Sequence, residues 1–334
     1  MIGRRSDARQ RSGVAESVAI IGAGVSGLTC GVLFAERGFR TVILAKETGD
    51  QTTSAAAAAI WFPYDTEPME RVIPWALETY HALVDLARDP GSGVSMIELR
   101  QCSRVGEIQI PEWALSLGAA PSAGGPTFTD AFAMTVPLMD TTIYLDYLAT
   151  RFRNAGGAIH AGIHFQKLED VGPEFDLVIN CAGIGARDLT GDVDLEPHRG
   201  QVVIVPKIDH LPYAIACDTP PLMYAIPRRN DCVFGGTNTV SNDRTVDPAS
   251  TARIIGECTR ALNFPKPRVL AERVGLRPFR KSGVRLEAGR LMDRRPVLHN
   301  YGHGGAGFTV SWGCARQVVD LATRCDYGVD KRRL

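Results

Sequence analysis

Ser17-Val18-Ala19-Ile20-Ile21-Gly22-Ala23-Gly24-Val25-Ser26-Gly27-Leu28 decides the fold. The first five residues form a short apolar run bounded by Gly22, the pattern of a strand buried on both faces. A helix is predicted over residues 25–37, with Leu28, Val32 and Ala35 on one stripe and Gly38 fit for a left-handed C-terminal cap. Residues 41–44 then read as the next parallel strand, completing a right-handed βαβ unit. Within it, Gly22 permits the tight turn, Gly24 lets the backbone approach a pyrophosphate, and Gly27 packs helix on strand. Val25 and Ser26 open the helix, whose free N–H groups and positive dipole end face the phosphates. A turn that serves packing alone is the competing reading of this motif.

The second strand should end in an acid for the adenosine ribose, yet the sequence reads Leu44-Ala45-Lys46-Glu47. Glu47 becomes the ribose candidate. Lys46 beside it admits an NADP reading, since a cation accommodates a 2′-phosphate.

Beyond this unit the composition turns aromatic and proline-rich at Trp61-Phe62-Pro63-Tyr64, where a second domain is predicted to enter. The first pattern resumes with a helix over 144–154, or from Thr141 if Asp140 caps it, and a buried strand over 176–181 closed by Gly183 and Gly185. Short β-rich segments separated by Pro and Gly fill 200–278 and predict one mixed sheet. The fold class is therefore α/β: a Rossmann-like, doubly wound cofactor domain (17–62, 142–199, 284–325) interleaved with a substrate domain on a mixed β-sheet (63–141, 200–283). Residues 1–16 are expected to be a disordered arm and 326–334 a tail. A transit peptide is the other reading of the arginine-rich arm, weakened by Asp7 and Glu16.

Lys plus Arg and Asp plus Glu each number 37 in 334 residues, so nothing in the charge balance draws nucleic acid or an anionic membrane surface. The eight cysteines lack metal-ligand spacing and read as reduced thiols, which places the chain in the cytoplasm. Arg332-Arg333-Leu334 makes the peroxisome the minor alternative.

Near the C-terminal end, a glycine-dense loop leads into a helix at His303-Gly304-Gly305-Ala306-Gly307-Phe308-Thr309. With the first glycine motif it could hold the two ends of one long cofactor, which suits FAD better than NAD. A helix N-terminus at 305–309 would stabilise negative charge on a reduced flavin. His303 reads as a loop-shaping hydrogen-bonder.

Five segments resemble the D-amino-acid oxidase family: 22–27; Thr52-Thr53-Ser54-Ala55-Ala56 with Trp61 and Pro63; Met223-Tyr224-Ala225-Ile226-Pro227-Arg228; Val274-Gly275-Leu276-Arg277-Pro278; and 299–313. The resemblance runs from about residue 18 to about residue 321. It implies that Arg277 and Tyr224 clamp a substrate carboxylate, that the Gly305 carbonyl holds the amino group, and that Thr309 contacts the flavin C2=O. It also implies Thr52, Thr53 and Ser54 among the FAD contacts, with hydride transfer from the substrate α-carbon to flavin N5. A guanidinium fits that clamp because it offers two parallel N–H bonds, and a phenol adds a third donor. Oxygen, ammonia, hydrogen peroxide and an oxo acid complete the implied reaction.

The chain departs from the family in two places. Cys217-Asp218-Thr219-Pro220-Pro221 offers no lid tyrosine and looks short, so no closing lid is expected, and Asn238 follows the Gly-Gly-Thr turn where some members carry a tyrosine or a cation. Phe62 and Tyr64 should line a side-chain pocket favouring neutral D-amino acids, unless they pack between domains. Alternatives are a glycine or secondary-amine oxidase, a flavin-binding sensor without turnover, and an NAD(P)-dependent dehydrogenase. A homodimer is an open expectation, and Arg280 is expected to be structural.

Overall fold

The computed structural model describes residues 17–324; the arm at 1–16 and the tail at 326–334 lie outside the described residues. Along the chain run β1 (Ser17–Ile21), α1 (Val25–Glu36), β2 (Arg40–Ala45), α2 (Thr53–Ala56), α3 (Met69–Leu86), β3 (Val94–Ser103), α4 (Glu112–Ser116), β4 (Ala120–Ser122) and β5 (Asp130–Met139). Then come α5 (Thr141–Asn154), β6 (Ala158–Ala161), β7 (Leu177–Asn180), α6 (Ala186–Thr190), β8 (Leu195–Pro206), β9 (Ala214–Cys217), β10 (Met223–Pro227) and β11 (Asp231–Gly235). The chain closes with β12 (Thr239–Val240), α7 (Pro248–Leu262), β13 (Ala271–Arg280), β14 (Arg285–Arg290), β15 (Pro296–Tyr301) and α8 (Ser311–Arg324).

These strands form two sheets. The smaller runs β14-β15-β7-β1-β2-β6, parallel except for the β14–β15 pair. Val18 and Ile20 of β1, Leu177 and Ile179 of β7 and Leu298 of β15 share one core with α1, α5 and α8. The opposite face, with Ala19, Val178 and Val297, is covered by Leu168, Val171 and Phe175, a connecting segment in place of a long helix.

Local signals end the elements where the residues require it. Gly38 takes φ +80 just after α1. The Asp140 carboxylate accepts the Thr142 N–H at 3.1 Å, making it the N-cap of α5.

The larger sheet has nine strands and is mixed, since β3 runs parallel to β9 while its other pairs are antiparallel. Its second run of strands begins at Leu195, five residues ahead of the boundary drawn from the sequence. Its outer face packs Val203, Cys217, Ala225 and Phe234 against Ile254, Ile255 and Cys258 of α7. The inner face carries the opposite residues of the same strands. The seven cysteines among the described residues are unpaired and buried. No helix among them is long and apolar enough to cross a membrane.

Candidate active site

A cavity of about 920 Å³ lies between the two sheets. At one end it is walled by the turn after β1. Gly22 has φ +106, and a Cβ there would sit 2.5 Å from the Cys181 carbonyl oxygen. A Cβ on Gly27 would come within 1.9 Å of the Gly22 oxygen, so α1 approaches β1 as closely as backbone permits. The Ser54 hydroxyl accepts the Val25 N–H at 3.0 Å, which leaves its own proton free for an anion. Thr52 caps α2, accepting the Ala55 N–H at 3.3 Å, and the Thr53 hydroxyl bonds the Leu276 carbonyl at 3.3 Å. Gly22, Gly24, Val25, Ser26, Thr52, Thr53, Ser54 and Gly183 all line the cavity, while Gly27 packs behind them.

Lys46 and Glu47 line the same end. Glu47 is held by Arg244 at 2.9 Å, a partner contributed by the distant 241–247 loop.

Gly304, Gly305, Gly307 and Phe308 line the same cavity close to the start of α1, where the Ser26 hydroxyl lies 3.5 Å from His303 Nδ1. A 3₁₀ turn over Gly304–Ala306 leads there, and the α-helix proper starts at Ser311, later than the sequence placed it. Gly304 has no room for a side chain, since a Cβ would lie 1.7 Å from the Asp65 carbonyl oxygen. His303 is buried and its Nε2 pairs with the Asn300 amide oxygen at 2.9 Å. Burial pushes its imidazole down to about 4, so it stays neutral and shapes the loop.

Thr309 differs from the expectation. Its hydroxyl donates to the Phe62 carbonyl at 2.9 Å and accepts the Phe62 N–H at 3.2 Å. The side chain is thus committed to the aromatic segment and is absent from the cavity wall.

The inner face of the large sheet builds the third wall by simple alternation. Strand register sets Gln101 beside Ala216, Ala216 beside Tyr224, Tyr224 beside Gly235 and Gly235 beside Val202. Gly200 lies two residues along from Val202 and pairs with Gly275, itself two residues before Arg277. Because side chains alternate with period two, this row points to one face. The Arg277 guanidinium lies over Gly200, where a Cβ would meet Nη1 at 2.5 Å, and Nη1 donates to the Thr237 carbonyl at 2.9 Å. The Tyr224 ring lies over Gly235, where a Cβ would be 1.9 Å from the ring. Burial raises the pKa of Tyr224, and Arg277, its hydrogen-bonding neighbour, opposes that rise.

Tyr64 joins this pair. Asn238 donates its amide N–H to the Tyr64 oxygen at 3.1 Å, so Asn238 steadies Tyr64 from outside the cavity wall. Burial pushes the Tyr64 phenol up to about 12, and the charges of Arg277 and Asp218 both reach it. Both phenols are therefore protonated donors at neutral pH. Phe62 lines the cavity edge-on to Trp113, with centroids 5.5 Å apart, whereas Trp61 is wholly buried and bonds the Ala76 carbonyl. Arg280 turns away to Asp192 at 2.8 Å. Sequence reasoning passed over Gly200, Gln101 and Asp218, all of which line the cavity.

A cleft lined by two glycine-rich turns, with an arginine–tyrosine pair on the sheet facing them, has the construction of a flavin-dependent oxidoreductase. Both glycine turns and the Ser54 hydroxyl face one cavity of about 920 Å³, so the residues present fit FAD. Residues 17–321 match the family described as FAD dependent oxidoreductase. A D-amino-acid oxidase of Rubrobacter xylanophilus is 37% identical over 323 residues, 93% of this chain and 97% of that protein. A D-amino-acid oxidase of Streptomyces coelicolor is 38% identical over 315 residues, 92% and 96% of the two chains. Among solved structures, the glycine oxidase of Geobacillus kaustophilus superposes with a TM-score of 0.76 at 19% identity, over 92% of this chain and 94% of that one. The chain belongs to the D-amino-acid oxidase family of FAD-dependent oxidoreductases.

Proposed function

We propose that the protein oxidatively deaminates D-amino acids: a D-amino acid, water and oxygen give the 2-oxo acid, ammonia and hydrogen peroxide. The observation that carries this reading is the Arg277–Tyr224 pair beside Gly305 in the cleft, reinforced by Tyr64. FAD, when bound, supplies the acceptor for the α-hydrogen. The chain's own work is alignment. Arg277 binds the substrate carboxylate with charge-assisted N–H bonds, and the Tyr224 and Tyr64 hydroxyls donate to the same group. The Gly305 carbonyl accepts from the amino group, and Phe62 shields the side of the cleft from water. Neutral side chains are the baseline substrates, and an acidic one would meet Asp218.

Anaerobic addition of D-alanine to the purified holoprotein should bleach the visible flavin spectrum, and L-alanine should not. Unchanged absorbance with every D-amino acid in a panel would leave a sensor or scaffold as the reading. Faster bleaching by glycine or sarcosine would move the activity to those amines.

Gly200→Ala tests the alignment separately from stability. Its Cβ would displace only the far end of Arg277, so the melting temperature should hold while the Michaelis constant for D-alanine rises about ten- to a hundredfold. A normal Michaelis constant would mean that the guanidinium position over Gly200 is irrelevant to binding.

A further inference from the structure

We infer that Asp218 is the counter-ion for a cationic substrate side chain, so that the pocket selects basic D-amino acids such as D-lysine over neutral ones of equal length. This deepens the oxidase reading and rests on it.

Asp218 follows directly on β9 and continues its alternation, two residues on from Ala216, so it stands on the same inner face as Gln101 and Tyr224. It lines the cavity, and the surface that it exposes lies within a cleft crowded by protein, where burial raises its pKa. Gln101, itself buried, donates its amide N–H to one carboxylate oxygen at 2.9 Å. No arginine or lysine among the described residues forms an ion pair with it.

The segment that presents Asp218 is fixed. The Arg104 guanidinium donates to the carbonyls of Thr219 and Pro221, the latter at 2.6 Å, and is held in turn by Glu257 at 3.3 Å. The Ser103 and Thr219 hydroxyls pair at 3.4 Å. The backbone that carries the carboxylate is thus anchored, and the Gln101 bond orients the carboxylate itself.

Its charge then decides what fills the cleft well. The substrate carboxylate neutralises Arg277, which leaves Asp218 as the uncompensated charge. An apolar side chain would strip water from it without replacing a partner, whereas an ammonium or guanidinium supplies both charge and donors. An acidic side chain is repelled.

Asp218 and Arg277 face one pocket. The Arg277 guanidinium crosses Gly200 to reach Tyr224 of β10, the strand beside β9, and the charges of Arg277 and Asp218 both reach the Tyr64 phenol. An amino acid held at its carboxylate by Arg277 can therefore present a side-chain cation to Asp218.

D-lysine and D-norleucine differ at the end of one unbranched chain, and 6-aminohexanoate and hexanoate are their unreactive counterparts lacking the α-amine. Two ratios are measured on the holoenzyme: kcat/KM for D-lysine over D-norleucine, and the affinity of 6-aminohexanoate over hexanoate from the flavin absorbance shift. Both ratios should exceed about tenfold, and both should fall at least about tenfold in Asp218→Asn, because a hydrogen bond between ions is lost. Each ratio is internal to one protein, so partial unfolding cancels, and the wild-type ratios stand even if the variant does not fold. Wild-type ratios at or below one, or ratios that survive Asp218→Asn, overturn the inference while leaving the oxidase reading intact. Failure of D-norleucine and D-lysine alike to bleach the flavin overturns the oxidase reading itself.

Discussion

Arg277→Ala should lower kcat/KM for D-amino acids by about 10³-fold while the purified protein stays yellow, because two charge-assisted hydrogen bonds to the carboxylate disappear together. The loss should fall on the Michaelis constant and on kcat, since the same bonds that hold the substrate also set the direction of its α-hydrogen. Arg277→Lys should recover only part of it, as an ammonium cannot reproduce the planar fork. Tyr224 and Tyr64 remain protonated in the variant and keep weak carboxylate binding alive. Steady-state peroxide release against substrate concentration, with the flavin spectrum as a control for folding, reads the result. Wild-type kinetics would remove the clamp from the mechanism.

Gly27→Ala should reduce retained FAD at least ~tenfold and lower the melting temperature as well. The added methyl would meet the Gly22 carbonyl oxygen at 1.9 Å, backbone against backbone, with no side chain to rotate aside. Helix α1 must then move off β1, at a cost of ~1–3 kcal/mol for overpacking, and the turn that faces the phosphates moves with it. Gly24→Ala is the contrast: its methyl would meet only the Ser54 hydroxyl, at 3.0 Å, on the cavity wall, so retained FAD should fall while the melting temperature stays near the wild-type value. Melting temperature, read beside the ratio of flavin to protein absorbance after gel filtration, should therefore separate the two variants. Equal melting temperatures would mean that the close helix approach does not stabilise the domain.

The cofactor end of the site was legible because its determinants are local. Strand, glycines and helix from Ser17 to Glu36 lie in one stretch, and Gly22 and Gly27 answer contacts within a few residues or beside the adjacent strand. Asp140 likewise signalled its helix start at short range. Arg277 and Tyr224 were found through motifs shared with a family, since nothing in either segment alone announces a carboxylate. Gly200, Gln101 and Asp218 carried no local signal. They sit on three strands, β8, β3 and the end of β9, and only the register of the large sheet brings them to one face. Asn238 and Thr309 were read as direct contacts, but the Asn238 amide nitrogen is engaged by Tyr64 and the Thr309 hydroxyl by Phe62, partners far away in the chain. Short polar side chains bond whatever backbone or hydroxyl packs beside them, and sequence does not say what that will be.

The order of strands in the small sheet bears on how the molecule is made. β7 lies between β1, from the start of the chain, and β15, from near its end. A nascent chain emerging from the ribosome can pair β1, β2 and β7 early, yet the outer edge of β7, with Leu177, Val178 and Ile179, stays open until β15 has been synthesised. Gly304 and Gly305 follow β15 within a few residues, so the second glycine turn of the cofactor site is in place only once the last strand of this sheet has been made.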